Sequence, residues 1–126
     1  YRNVLRAQVE TNPLILALRV DENLFFGNIQ AVEDALQDAL AAQPGARHVL
    51  LVMSSVSRVD ATALERLELL EANLAARGLM LSLAGVKGPV LDKLGSSTLL
   101  PRLDGRVFRF THDAFRQLAD ETAQDG

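Results

Sequence analysis

At 126 residues with a formal net charge of −3 and neither cysteine nor tryptophan, the chain is sized for one domain around a single core. No basic excess is available to hold a phosphate backbone and few aromatics to stack on bases, which argues against nucleic-acid binding. The missing cysteines exclude a disulfide framework, a thiolate metal site and a cysteine nucleophile, and the longest apolar runs, "VLLVM" and "LMLSLAGV", are far too short to span a bilayer, so the fragment reads as soluble.

The chain opens at Tyr1 without a methionine, as a segment of a longer protein would. "VLRAQVE" and "LILALRV" are short apolar or alternating runs separated by "TNP", whose Asn12 and Pro13 are turn formers; they read as a hairpin. From Asn28 the period changes. Ile29, Val32, Leu36 and Leu40 form a helical stripe with Glu33, Asp34, Gln37 and Asp38 opposite, so a helix capped by Asn28 and ended by "QPG" is expected. "RHVLLVM" reads as a strand covered on both faces.

"VDATAL", Val59 to Leu64, opens the next helix, with Leu64, Leu67, Leu70 and Leu74 on one face and Gly78 as its left-handed terminator. Leu69 falls off that stripe and is a candidate partner contact. "LMLSLAGV" is a strand, and "KGPVLDKL" a short helix with Pro89 in its first turn. "RVFRF" is a last strand before a terminal helix that Thr111 caps and that carries Phe115 and Leu118, ahead of a polar tail, "TAQDG", expected to fray. Strands and helices alternate after the hairpin. That pattern predicts an α/β domain with a mostly parallel sheet, an antiparallel edge strand and about four helices.

Ligand sites in such sheets gather beyond the carboxyl ends of the parallel strands, where helix N-termini converge. The loops reaching that rim supply the hydroxyls of Ser54, Ser55 and Ser57, the cations Arg58 and Lys87, and the backbone of Gly88, a set able to take a phosphate, another small anion or, weakly, a nucleotide. Asp60 or Thr62 can cap the "VDATAL" helix, and Thr62 with Glu65 fits a capping box. The alternative is that the Thr62 hydroxyl is displayed there for phosphorylation, with Asp60 holding the loop. Catalytic equipment is missing from the pattern: His48 and His112 have no motif partners, and no P-loop, dinucleotide fingerprint, nucleophile elbow or metal set occurs. No cofactor, metal or catalytic residue is expected.

A hairpin followed by alternating elements, with Asp-x-Ser/Thr opening the helix after the third strand, resembles the STAS domain, the fold of the anti-sigma factor antagonists. "YRNV", "LFFGN", "VDATAL", "AGVKGPVLDKL" and "LDGRVFRFTHDAF" resemble the C-terminal STAS domain of bacterial SulP-type anion permeases. The resemblance implies a non-catalytic regulatory and interaction domain on the cytoplasmic face of the inner membrane. Its first partner would be the transmembrane domain of the same chain, which would carry sulfate, bicarbonate or a related anion. Further candidate partners are another STAS protomer and a cytosolic regulatory protein or kinase. The alternatives are a free-standing anti-sigma factor antagonist phosphorylated at Thr62, and a nucleotide-binding sensor module or small phosphate-handling enzyme. In the antagonists the residue matching Thr62 is a phosphorylated serine, commonly flanked by Ser and Gly where this chain has Ala61 and Ala63.

Overall fold

The computed structural model of the chain describes residues 4–7 and 12–125. Its elements run β1 (Leu5–Ala7), β2 (Ile15–Val20), α1 (Ile29–Ala42), β3 (His48–Val52), α2 (Ala61–Ala76), β4 (Met80–Ala84), α3 (Gly88–Gly95), α4 (Leu99–Leu103), β5 (Val107–Phe108) and α5 (Thr111–Asp125). The expected hairpin pairing forms between β1 and β2, antiparallel, with Leu5 opposite Val20. Every other strand pair is parallel. All four expected helices are present, and a fifth, α4, lies in "LLPRL", which contains Pro101 and is too short to display a period.

The five strands stand in chain order, β1 to β5, across the sheet. Each crossover therefore steps in the same direction, and because such connections are right-handed, their helices must land on one face. The packing agrees. Leu16, Leu18 and Val20 of β2, Val49 and Leu51 of β3, and Leu81 and Leu83 of β4 share one core with the buried stripes of α1 to α4. The opposite face, Ile15, Ala17, Leu50, Val52 and Ala84, packs against Ala114 and Leu118 of α5, with Phe108 and Phe115 at its margin. Central strands buried on both sides are the reason that "HVLLV" is continuously apolar.

Local signals explain the element ends. α2 closes in a Schellman motif: Gly78 has φ +78°, its N–H donates to Ala75 O, and the Leu79 N–H donates to Leu74 O. Three expectations fail. Asn28 stands at the N-cap of α1 without bonding into the helix, because its Oδ1 accepts from Phe25 N (3.0 Å) and its Nδ2 donates to Asn23 O (2.7 Å). The "TAQDG" tail does not fray before Asp125, since α5 runs through it. There Thr122, only 4% exposed, accepts from Asn12 Nδ2 (2.8 Å) and donates to Ala119 O (3.0 Å), tying the helix to the turn before β2. Thr111 is the first residue of α5, so Phe110, whose carbonyl accepts from Ala114 N, precedes the helix in its place.

Candidate functional site

Because the strand order never reverses, the sheet has no switch point at which adjacent loops diverge to open a crevice. A cleft of about 710 Å³ forms instead above the helical layer at the carboxyl rim, lined by the β2–α1 loop (Glu22 to Phe25), the β3–α2 loop (Ser57 to Asp60), and Pro89 and Lys93 of α3.

Its floor is a backbone stitch between the two loops. Leu24 and Val59 form a parallel bridge, with Leu24 N donating to Arg58 O and Asp60 N to Leu24 O, both at 3.0 Å. Asn23 adds a side-chain clasp: its Oδ1 accepts from Ser57 N (2.8 Å), Ser57 Oγ (3.2 Å) and Arg58 N (3.2 Å). Asp60 completes the frame from the other side. Its Oδ1 accepts from Ala63 N (2.8 Å) and caps α2, while its Oδ2 accepts from Phe26 N (3.0 Å) across 34 residues of sequence. One carboxylate thus starts a helix and pins a neighbouring loop, with charge-assisted bonds at both oxygens. It also fills the anion position at the helix N-terminus from within the chain.

Between the two capping candidates, the structure chooses Asp60. Thr62 lies one turn-position inside α2, exposed, and its hydroxyl makes no hydrogen bond among the described residues. The Thr62–Glu65 capping box is therefore not formed. Of the remaining rim candidates, Ser57 and Arg58 line the cleft, whereas Ser54 and Ser55 are exposed outside it. Ser54 sits against Gly85, whose φ of +67° turns the chain out of β4. Lys87 occupies the N-cap position of α3 without lining the cleft, and Gly88 faces a separate apolar groove of about 510 Å³ with Val86, Leu91, Leu100, Val107 and Arg109. Helical spacing explains the exchange: Pro89 and Lys93, four apart, share the cleft face, while Gly88 and Leu91, three apart, share the other. Lys93, Glu22 and Asn23 were missed from sequence. Only Asn23 left a trace, as an Asx residue in the loop that follows the strand.

An ion cluster stands near the sheet's β1 edge. Arg6 and Arg19 are directly opposed across β1 and β2, an unfavourable placement for like charges. Asp21 relieves it by meeting Arg6 Nε at 2.7 Å and Arg19 Nε at 2.6 Å. The hydrogen bond from Arg19, with the charges of both guanidiniums, holds the Asp21 carboxyl below its ordinary value against a smaller opposing effect of burial.

His48 is buried at the head of β3 and His112 is exposed in the first turn of α5. Among the described residues no three His, Asp or Glu side chains are grouped to hold a metal ion, and no helix is long and apolar enough to cross a membrane.

Comparison with known proteins agrees with this architecture. "High affinity sulfate transporter 2" of Stylosanthes hamata is 26% identical over 134 residues, taking in 98% of this chain and 20% of the transporter. The chain therefore spans about a fifth of that relative's length. A sulfate transporter family protein from Wolinella succinogenes has the same fold at 22% identity, with a TM-score of 0.75 over 90% of this chain and 93% of that one. So does the SulP transporter STAS domain from Vibrio cholerae, at 17% identity and a TM-score of 0.75 over 92% of this chain and 88% of that one. The STAS domain family profile matches residues 6–124, taking in β2 to β5 with all but the first residue of β1, the Asp60-capped helix and the rim loops, and the chain belongs to that family.

Proposed function

We propose that this chain is the regulatory and interaction domain of a SulP-type anion transporter, non-catalytic and lying on the cytoplasmic side of the membrane that holds the transport domain. The observation that carries the reading is a STAS match over residues 6–124 in a chain that covers nearly all of itself, but only a fifth of its length, on a plant sulfate transporter. A free-standing anti-sigma factor antagonist would share the fold, but curated relatives named as sulfate transporters favour the first reading. Reading the coding sequence upstream of Tyr1 tests it directly: many apolar segments are expected, and a start codon close by would overturn it. With the full-length gene in hand, removing this domain should reduce or deregulate uptake of sulfate or bicarbonate by cells without creating or abolishing a chemical turnover.

Within that reading, Thr62 is the regulatory hydroxyl. It is exposed and free of hydrogen bonds among the described residues, so a phosphate there breaks no contact, and it would lie at the positive end of α2. Thr62→Glu should therefore leave the unfolding free energy within about 0.5 kcal/mol of the parent while changing uptake in the full-length protein. Unchanged uptake in both Thr62→Glu and Thr62→Val, with no phosphate found on the native protein by mass spectrometry, would remove Thr62 from the mechanism.

A further inference from the structure

The exposed aromatic side chains are not scattered. Among the described residues Phe25, Phe26 and Phe110, exposed by 44%, 73% and 59%, are the large aromatics left open to solvent, and all three lie at the carboxyl rim. Phe25 and Phe26 stand edge to face on the β2–α1 loop with ring centroids 6.2 Å apart. That loop is held rigidly from below, by Asp60 on the Phe26 N–H and Asn28 on the Phe25 N–H. Two adjacent phenyl rings presented on a fixed loop contribute little to the domain's own core, and such a patch marks a contact surface.

Cations without a carboxylate partner gather around the patch, and elsewhere among the described residues Arg77, Arg106 and Arg116 also make no ion pair. Arg6, Arg19, Arg66 and Arg102 are each paired with a carboxylate. Arg58, Lys87 and Lys93 make no ion pair among the described residues, and the Arg109 guanidinium lies over the Phe110 ring at 5.4 Å. On the opposing side, the Asp60 oxygens are occupied by two backbone N–H groups, Glu22 is half-buried in the cleft wall, and Asp113 stands in the first turn of α5. The topology supplies a direction. β1 is antiparallel to β2, so its first residues lie at the carboxyl end of β2, where Val4 O accepts from Asp21 N at 2.8 Å. Any chain preceding this domain enters at the rim that carries the phenylalanines.

We propose that this rim rests on an anionic bilayer surface, with the Phe25 and Phe26 rings in the headgroup layer and Arg58, Lys87, Lys93 and Arg109 against lipid phosphates. The proposal rests on the reading that membrane segments precede Tyr1, because a tether at that end raises the local lipid concentration enough for a small patch to dock. The domain would then lie rim-first on the membrane.

The chain has no tryptophan and no cysteine, so Phe26→Trp creates a unique fluorophore and Tyr1→Cys a unique tether to maleimide lipid. The doubly substituted chain, tethered to phosphatidylglycerol vesicles, should show blue-shifted indole emission, at least a twofold fall in quenching by aqueous acrylamide, and quenching by brominated acyl chains. Arg58→Glu with Lys93→Glu, or replacement by phosphatidylcholine, should remove most of the protection. A Leu69→Trp reporter on the exposed face of α2 should show none. An indole in the Phe26→Trp chain that stays as quenchable on anionic vesicles as in solution overturns the proposal, as does equal protection of Leu69→Trp or equal protection on phosphatidylcholine. A photo-crosslinker at position 26 of the full-length protein that labels only polypeptide would also overturn it, assigning the patch to a protein surface. The vesicle experiment supplies its own tether, so its failure leaves the transporter reading standing, and a start codon near Tyr1 would defeat that reading without altering the vesicle result.

Discussion

Asp60 carries more of the rim than a cap alone would. Each of its oxygens holds a backbone N–H from a different element, Ala63 in α2 and Phe26 in the β2–α1 loop. Asp60→Ala should cost about 2 kcal/mol, roughly half for the lost cap and half for the loop bond. Asp60→Asn should cost about 1 kcal/mol, because its amide oxygen can still cap while its NH₂ cannot accept from Phe26; urea unfolding of the three proteins checks the order. Asp21 offers a pH test with a definite sign. Its folded pKa lies below the ordinary 3.8 because of Arg19 and Arg6, so the unfolded chain binds its proton first as pH falls. The cluster's contribution is therefore present above about pH 4 and is lost as pH drops through the folded value. Asp21→Asn should be less stable at pH 7 and should lose less stability than the parent between about pH 4 and about pH 2, read as urea midpoints across that range. Arg6 and Arg19 are both substantially exposed, so the effect is a modest one.

At the scale of elements, two glycines with positive φ separate conformation from crowding. Gly78 ends α2 at φ +78° with nothing within 4 Å of a would-be Cβ, whereas at Gly85, φ +67°, a Cβ would lie 3.1 Å from both the Cβ and the backbone N of Ser54. Gly78→Ala should cost about 1–2 kcal/mol, the left-handed penalty alone. Gly85→Ala should cost clearly more, since the Ser54 backbone has to yield as well, and thermal unfolding of the pair measures the difference. α2 and α4 show how far spacing carries a reading. The Leu64, Leu67, Leu70, Leu74 stripe is buried as its spacing requires, because neighbours three and four apart share a helix face wherever the helix is placed. α4 has five residues and no complete period. It is located by partners distant in sequence, Glu71 paired with Arg102 and Glu68 accepting from Thr98 N.

For the molecule as a whole, the one-directional strand order leaves the second face of the sheet to α5 alone. Leu118 is fully buried on that face against strand residues that no other helix covers. Leu118→Ala should therefore cost about 3 kcal/mol, within the range for emptying a core leucine site, and should speed amide exchange in β2 and β3 as well as in α5. If the exchange change stays within α5, the helix is an independent unit and the sheet does not depend on it.

Alternation and periodicity sufficed for the α/β class, the antiparallel edge, four of the helices and the placement of Asp60 at a helix start, because those signals relate residues a few positions apart. Resemblance in the rim motifs led to the family. Which side chains meet at the rim was decided by tertiary structure. Lys93 replaces Lys87 in the cleft, Asn23 clasps the neighbouring loop, Asn28 bonds Phe25 and Asn23 instead of capping α1, and Thr122 holds a tail whose composition reads as loose. The two clasps depend on partners 34 and 110 residues away, and the exchange of lysines depends on how α3 rolls against its neighbours. Strand pairing and helix packing set those relations, and a local repeat carries no information about the element that lies beside it.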